Sequence, residues 1–157
     1  MNKVERIEFV ISEFRKADIT IDENQADKFV RLCDFMVEYN ENVNLTSITE
    51  FSEVVVKHFV DSVLPFTMVD IPQGSSFIDV GTGAGFPAIP LLICRPDLKG
   101  TLCDSLNKRC VYLEKACELI GVKSEIIHAR SEELGRKKRE CFDFATARAV
   151  AAMPVLS

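Results

Sequence analysis

Five residues between positions 79 and 104 have the types and spacing to hold a small molecule. Asp79 lies near the end of an apolar run, "SFIDV", and Gly81, Gly83 and Gly85 follow at alternate positions in "GTGAG". Asp104 stands 21 residues beyond Gly83. Glycine reaches positive φ and lets backbone approach a ligand directly. A carboxylate ending the next strand accepts the ribose hydroxyls of a nucleoside. Together they point to a nucleoside cofactor. Each also has a plain structural meaning, the glycines as a turn and Asp104 as the cap of a helix starting near Leu106.

The spacing discriminates between cofactors. A dinucleotide fingerprint, GxGxxG, wants Gly or Ala at its sixth position for close helix packing, and Phe86 stands there. The pattern GxGxG, with Asp79 two residues ahead of the first glycine, fits S-adenosyl-L-methionine better. A third element, "HARSEEL", sets Ser131 and Glu132 where the edge of an adenine pocket would fall. The same residues also read as a helix N-cap with acids in its first turn.

These residues need a frame, and the frame is α/β. From residue 76 onward "FIDV", "GTLCD", "EIIHA" and "FDFATA" are short strand-like runs, and helix-like sequence follows the first three. Such alternation predicts a parallel sheet. Pro87 and Pro90 mark the start of the helix after the glycines, where missing N–H groups cost least. The helix in "LNKRCVYLEKACELIG" stops at a glycine.

The front of the chain differs. Residues 1–70 read as a helical segment packed on a core formed by residues 71–157. Apolar positions recur at helical spacing in "VERIEFVISEF" and "ENQADKFVRLCDFMVEY". Asp22 with Gln25 forms a capping box for the second. "NENVNLTSITE" breaks the rhythm, and Thr49 is the expected cap of a third helix, "EFSEVVVKHFVDSVLPF".

Composition excludes several classes. The 157 residues are 47% hydrophobic and 27% charged, which describes a folded globular chain. No apolar run is long enough to span a bilayer, and no signal peptide opens the chain, so a cytoplasmic setting with no membrane is expected. The six cysteines, Cys33, Cys94, Cys103, Cys110, Cys117 and Cys141, form no CxxC and no zinc spacing. They read as reduced core residues, with neither disulfide nor metal. Net charge is −7 over residues 1–70 and +2 over 71–157. A nucleic-acid role would therefore need a local patch.

Six stretches, "NLTSI", "VVVKHFVDSVLP", "FIDVGTGAGFPAIPL", "LCDSLNKRCVYLE", "ARSEEL" and "FDFATARAVA", occur in this order. They resemble the bacterial 16S ribosomal RNA guanine-N7 methyltransferases, also called glucose-inhibited division protein B. The resemblance runs from about residue 30 to the last residue. It implies a Rossmann-like S-adenosylmethionine-dependent methyltransferase fold, three-layered and mostly parallel. It also implies methylation of N7 of one guanine, expected position 527, in 16S ribosomal RNA within the small ribosomal subunit. Gly81, Phe86, Ser131, Glu132 and Arg148 are the cofactor residues it implies; Asp79, Gly83, Gly85 and Asp104 come from the spacing argument.

On the RNA side the candidates are Asn44, Lys57, His58, Asp61 and Ser62. His58 has a competing reading as a satisfied histidine between helix and sheet. Lys137 and Lys138, in "GRKKRE", are further phosphate candidates, or a solvated basic loop. No general base is expected, because guanine N7 carries a lone pair and no proton.

Two departures from the family stand out. Ala88 occupies a position where the family usually has glycine. The family's sheet has seven strands in the order 3-2-1-4-5-7-6, whereas four are legible here. The last three strands are thus expected to be absent, leaving strand four as an exposed edge. An inactive cofactor-binding module that contacts RNA or a protein is therefore the alternative to an active enzyme. A nicotinamide oxidoreductase is a third reading, disfavoured by Phe86.

Overall fold

The structure is a computed structural model that describes residues 1–130 and 141–147, and the strand backbone of 150–154. Two capped helices open it. In α1 (Lys3–Lys16) Asn2 and Glu5 form a capping box, and in α2 (Glu23–Tyr39) Asp22 and Gln25 do the same. Each box satisfies two of the amides that a helix start leaves unpaired.

The third helical stretch is continuous but not uniform. It runs as α3 (Phe51–Val54), a π-helical turn (Val55–Val60), α4 (Asp61–Val63) and a 3-10 turn (Leu64–Thr67). Its cap is Glu50, whose carboxylate accepts the Glu53 N–H at 2.9 Å, and not the expected Thr49. π-turns widen a helix by one residue and re-aim its side chains. This one puts Val55, His58, Phe59 and Val60 all inside.

Among the described residues five strands follow: β1 (Ser76–Val80), β2 (Lys99–Asp104), β3 (Ser124–His128), β4 (Phe144–Ala147) and β5 (Val150–Pro154). They form one sheet in the order β3-β2-β1-β4-β5. The first four are parallel, as the alternation predicts. The fifth is antiparallel, with Ala147 paired to Val150. This corrects the expectation of four strands with β4 exposed, because the apolar run "VAAMP" covers the β4 edge. Between the strands lie α5 (Ala88–Cys94) and α6 (Asn107–Ile120), the latter closed by Gly121 at φ 69°.

One hydrophobic cluster joins the two segments. It extends from Val10 of α1 through Phe29 and Met36 of α2 to Leu91 of α5, Leu102 of β2 and Leu113 of α6. An aromatic chain threads it: Phe14 to Phe29 and Phe29 to Phe59 at 4.9 Å each, then Phe59 to Phe86 at 6.0 Å between ring centroids. The helical front thereby packs directly against the glycine loop that follows β1.

Four cysteines, Cys33, Cys103, Cys110 and Cys117, are buried and Cys94 is partly buried. Burial pushes the Cys33 and Cys94 thiols up to about 12, which leaves them protonated and inert. Cys141 is exposed, so it does not belong to the core where composition alone places it. Among the described residues no helix is long and apolar enough to cross a membrane.

Candidate functional site

The glycine loop occupies the carboxyl end of β1, between β2 and β4. That is the place where open parallel sheets bind ligands. The chain turns there because Gly81, Gly83 and Gly85 adopt φ values of 67°, 60° and 95°. Within the turn, Thr82 N–H donates to Cys103 O, and Gly85 N–H to Thr82 O.

Two buried carboxylates hold this loop from beneath. Asp79 Oδ2 accepts the Thr82 hydroxyl at 2.7 Å and the Ala88 N–H at 3.3 Å. Asp104 Oδ2 accepts the Gly83 N–H at 2.8 Å, while its Oδ1 accepts the Leu106 N–H at 3.0 Å. Arg109 approaches Asp104 at 3.7 Å. Asp79 is fully buried, and desolvation pushes its carboxyl up to about 7. The Thr82, Thr146 and Ala88 groups oppose that shift, and the negative charge of Asp104 adds to it.

The three glycines divide by role. A Cβ on Gly81 would meet nothing within 4 Å, so bare backbone faces open space there. A Cβ on Gly85 would overlap the Ile89 side chain and press on Leu113 Cδ2 at 3.0 Å. Gly85 is thus required by helix packing, which corrects the reading that every glycine clears space for a ligand. Gly83 is buried and donates its amide to Asp104.

Asp104 is also more enclosed than the ribose reading expects. It is 2% exposed, and both oxygens are engaged by backbone amides. It fastens the loop to the start of α6 and is not the N-cap of that helix, which is Leu106 without a side-chain cap bond.

Phe86 lies beneath the loop, 3% exposed, with the His58 ring stacked on it at 4.6 Å and 18°. His58 Nε2 lies 2.8 Å from Thr46 Oγ1, and Thr46 Oγ1 also accepts the Ile48 N–H. His58 is therefore a buried support for the loop, not a surface group free to stack on a base. Ser62 turns its hydroxyl back to the His58 carbonyl. Asn44, Lys57 and Asp61 do face solvent, with Lys57 ion-paired to Glu53 at 3.0 Å. Ser131, Glu132, Lys137, Lys138 and Arg148 lie outside the described residues.

Several residues escaped the sequence reading. Asn40 caps the end of α2: its side-chain oxygen accepts the Leu45 and Thr46 amides and its nitrogen donates to Thr46 O. It thereby shapes the whole "NLTSI" loop. Leu106, two residues past the end of β2, is 50% exposed, and Asp104 ties its amide to that of Gly83 in the loop. Thr82 stood inside the glycine pattern itself, where its hydroxyl was the available signal. Asn40 and Leu106 carried no local signal.

Comparison with known proteins fits this geometry. A family model described as rRNA small subunit methyltransferase G matches residues 25–157. The chain belongs to that family. Ribosomal RNA small subunit methyltransferase G of Lactobacillus acidophilus is 46% identical over 96% of this chain and 64% of its own length. That of Bacillus subtilis is 45% identical over the same shares, and that of Clostridium perfringens is 48% identical over 86% and 58%. The chain therefore spans roughly three fifths of the length of these family members. A beta-aspartate methyltransferase from Plasmodium falciparum, solved with S-adenosyl-L-homocysteine, superposes with a TM-score of 0.53 at 13% identity. It covers 90% of this chain and 72% of its own, and supports the fold.

Proposed function

We propose that this chain carries the S-adenosyl-L-methionine site of a 16S ribosomal RNA methyltransferase that modifies N7 of a guanine. The observation that carries the reading is the loop itself: backbone open above Gly81, with two buried carboxylates, Asp79 and Asp104, beneath. Acceptor oxygens beneath bare backbone offer no welcome to an anionic group such as a pyrophosphate. The α5 start argues in the same direction. Its Ala88 amide, where a dinucleotide would set its pyrophosphate, is already taken by the Asp79 carboxylate.

The residues fit an S-adenosylmethionine cofactor, which supplies an electrophilic methyl group when bound. Gly81 leaves the approach open, and the exposed Leu106 follows the β2 end whose Asp104 holds the loop. His58 and Phe86 keep the loop dry and fixed from the protein side. A guanine N7 lone pair needs no base, so the chain's contribution is orientation, worth several powers of ten in rate when reacting groups are held in line. Asn44, Lys57 and Asp61 line the solvent-facing side of the helical front and are the RNA contacts of this reading, with Ser131, Glu132 and Arg148 completing the cofactor set by family resemblance.

Calorimetric titration with S-adenosylhomocysteine, beside a Gly83→Val variant, tests the site. Saturable binding that the variant abolishes is expected; equal binding by both, or binding of NAD instead, would overturn the reading. Methyl transfer to small-subunit RNA then tests the activity. Cofactor binding without transfer would favour the alternative of a binding module.

A further inference from the structure

Asp79 and Thr146 face each other across the centre of the sheet, and each leaves an oxygen idle. They are register partners in the parallel β1–β4 pair. Both side chains are buried, Asp79 completely and Thr146 at 2% exposure. Neither Asp79 Oδ1 nor Thr146 Oγ1 has a partner of good hydrogen-bond geometry among the described residues, although the Thr146 hydroxyl already favours the ionised Asp79 carboxyl. Buried polar atoms are nearly always paired, so two unpaired ones on adjacent strands point to each other.

The rest of Asp79 is committed. Its Oδ2 holds Thr82 and Ala88, the two ends of the glycine loop. What remains is Oδ1, which needs a donor when the carboxyl is ionised and an acceptor when it is protonated. A hydroxyl serves either way by rotating its hydrogen. No other natural side chain of threonine's volume does both.

We propose that Thr146 is a positioning residue for the cofactor loop, closing a hydrogen bond to Asp79 Oδ1 and thereby governing the charge of the carboxylate that holds the loop. The role in cofactor binding rests on the site reading above; the pairing does not. Ionised Asp79 accepts from Thr82 and Ala88 more strongly than its protonated form, so the loop is held best when the proton is off. Other ionisable groups around Asp79, among the described residues, are Asp104 and Cys103 of β2, with Arg109 of α6 beyond Asp104. His58 reaches the same loop through Phe86. β4 contributes the neutral Thr146 and α5 only the Ala88 amide.

Carbon-13 NMR of the aspartate carboxyls, titrated with pH, reads the pairing directly, with the Asp79 signal assigned by its loss in Asp79→Asn. Thr146→Val should raise the Asp79 midpoint by about one pH unit, as loss of a donor to the charged form requires. Thr146→Ser should restore it. Calorimetry with S-adenosylhomocysteine over the same range should show affinity falling as the carboxyl protonates, with the inflection moving alongside the NMR midpoint. An unchanged midpoint in Thr146→Val overturns the proposal. A shifted midpoint without any pH inflection in affinity overturns the positioning role. Absence of binding by the wild-type chain at every pH overturns the cofactor reading and that role with it, while the midpoint still decides the pairing. Should the valine variant fail to fold, Thr146→Ala takes its place.

Discussion

Asp104 and Gly83 are joined at 2.8 Å by a carboxylate-to-amide hydrogen bond that ties the end of β2 to the middle of the glycine loop. The same carboxylate holds the Leu106 amide, so a single buried side chain sets the distance between the loop and α6. Removing it should loosen both. Asp104→Ala would leave two buried or half-buried amides unpaired, at ~1–3 kcal/mol each. Urea unfolding should report that loss. Affinity for S-adenosylhomocysteine should drop about tenfold or more, the equivalent of about 1.4 kcal/mol.

Gly81 and Gly85 should respond unequally to the same substitution. Gly81→Ala meets open space and costs only the left-handed backbone penalty, about 1–2 kcal/mol. Gly85→Ala adds a collision with Ile89 and Leu113, for ~2–5 kcal/mol in total. Thermal unfolding should therefore rank Gly85→Ala as the more damaging. Calorimetry should find that Gly81→Ala loses more cofactor affinity than its small stability change explains.

The Asp79 carboxyl gives stability a pH dependence of unusual sign. Burial raises it to about 7 from an ordinary 3.8. Between those values the folded protein holds a proton that the unfolded chain has lost, so stability falls as pH rises through the window. Asp79→Asn removes that slope. Urea midpoints measured on both sides of the window should show the wild type losing up to a few kcal/mol from this group, and the variant losing less. A wild-type profile that climbs steadily across the window would contradict the assignment.

Asn40 holds the turn between α2 and α3 with three side-chain hydrogen bonds. Asn40→Ala should cost about 2–3 kcal/mol, at roughly 1 kcal/mol per bond. It should also free residues 41–50, which limited proteolysis will detect as a new cleavage site. Because Thr46 supports His58 and His58 supports Phe86, cofactor affinity should fall as well. Wild-type affinity in a cleavable Asn40→Ala protein would break that chain of support.

Local sequence determined most of the frame. Periodicity and capping chemistry act within four residues, which is why α2, with Asp22 and Gln25, and the Gly121 stop of α6 were readable directly. The strand runs at 77–80, 100–104 and 125–129 were legible because apolar β-forming segments alternate with helices. Glycines two apart, with an acid before and another 21 residues on, were enough to mark the loop that follows β1.

Tertiary structure decided what each marked residue does. Gly85 is a packing glycine because Ile89 and Leu113 fill the space a Cβ would need. Asp104 is a buried clamp because the loop folds its Gly83 amide back onto it. His58 turns inward because a π-turn re-aims it onto Phe86. The run at 150–154 pairs antiparallel with β4, a choice of partner that its own composition does not encode. Asp79 and Thr146 lie 67 residues apart and meet only because β1 and β4 pair in register. Contacts of that range depend on sheet order and register, and those are properties of the assembled chain.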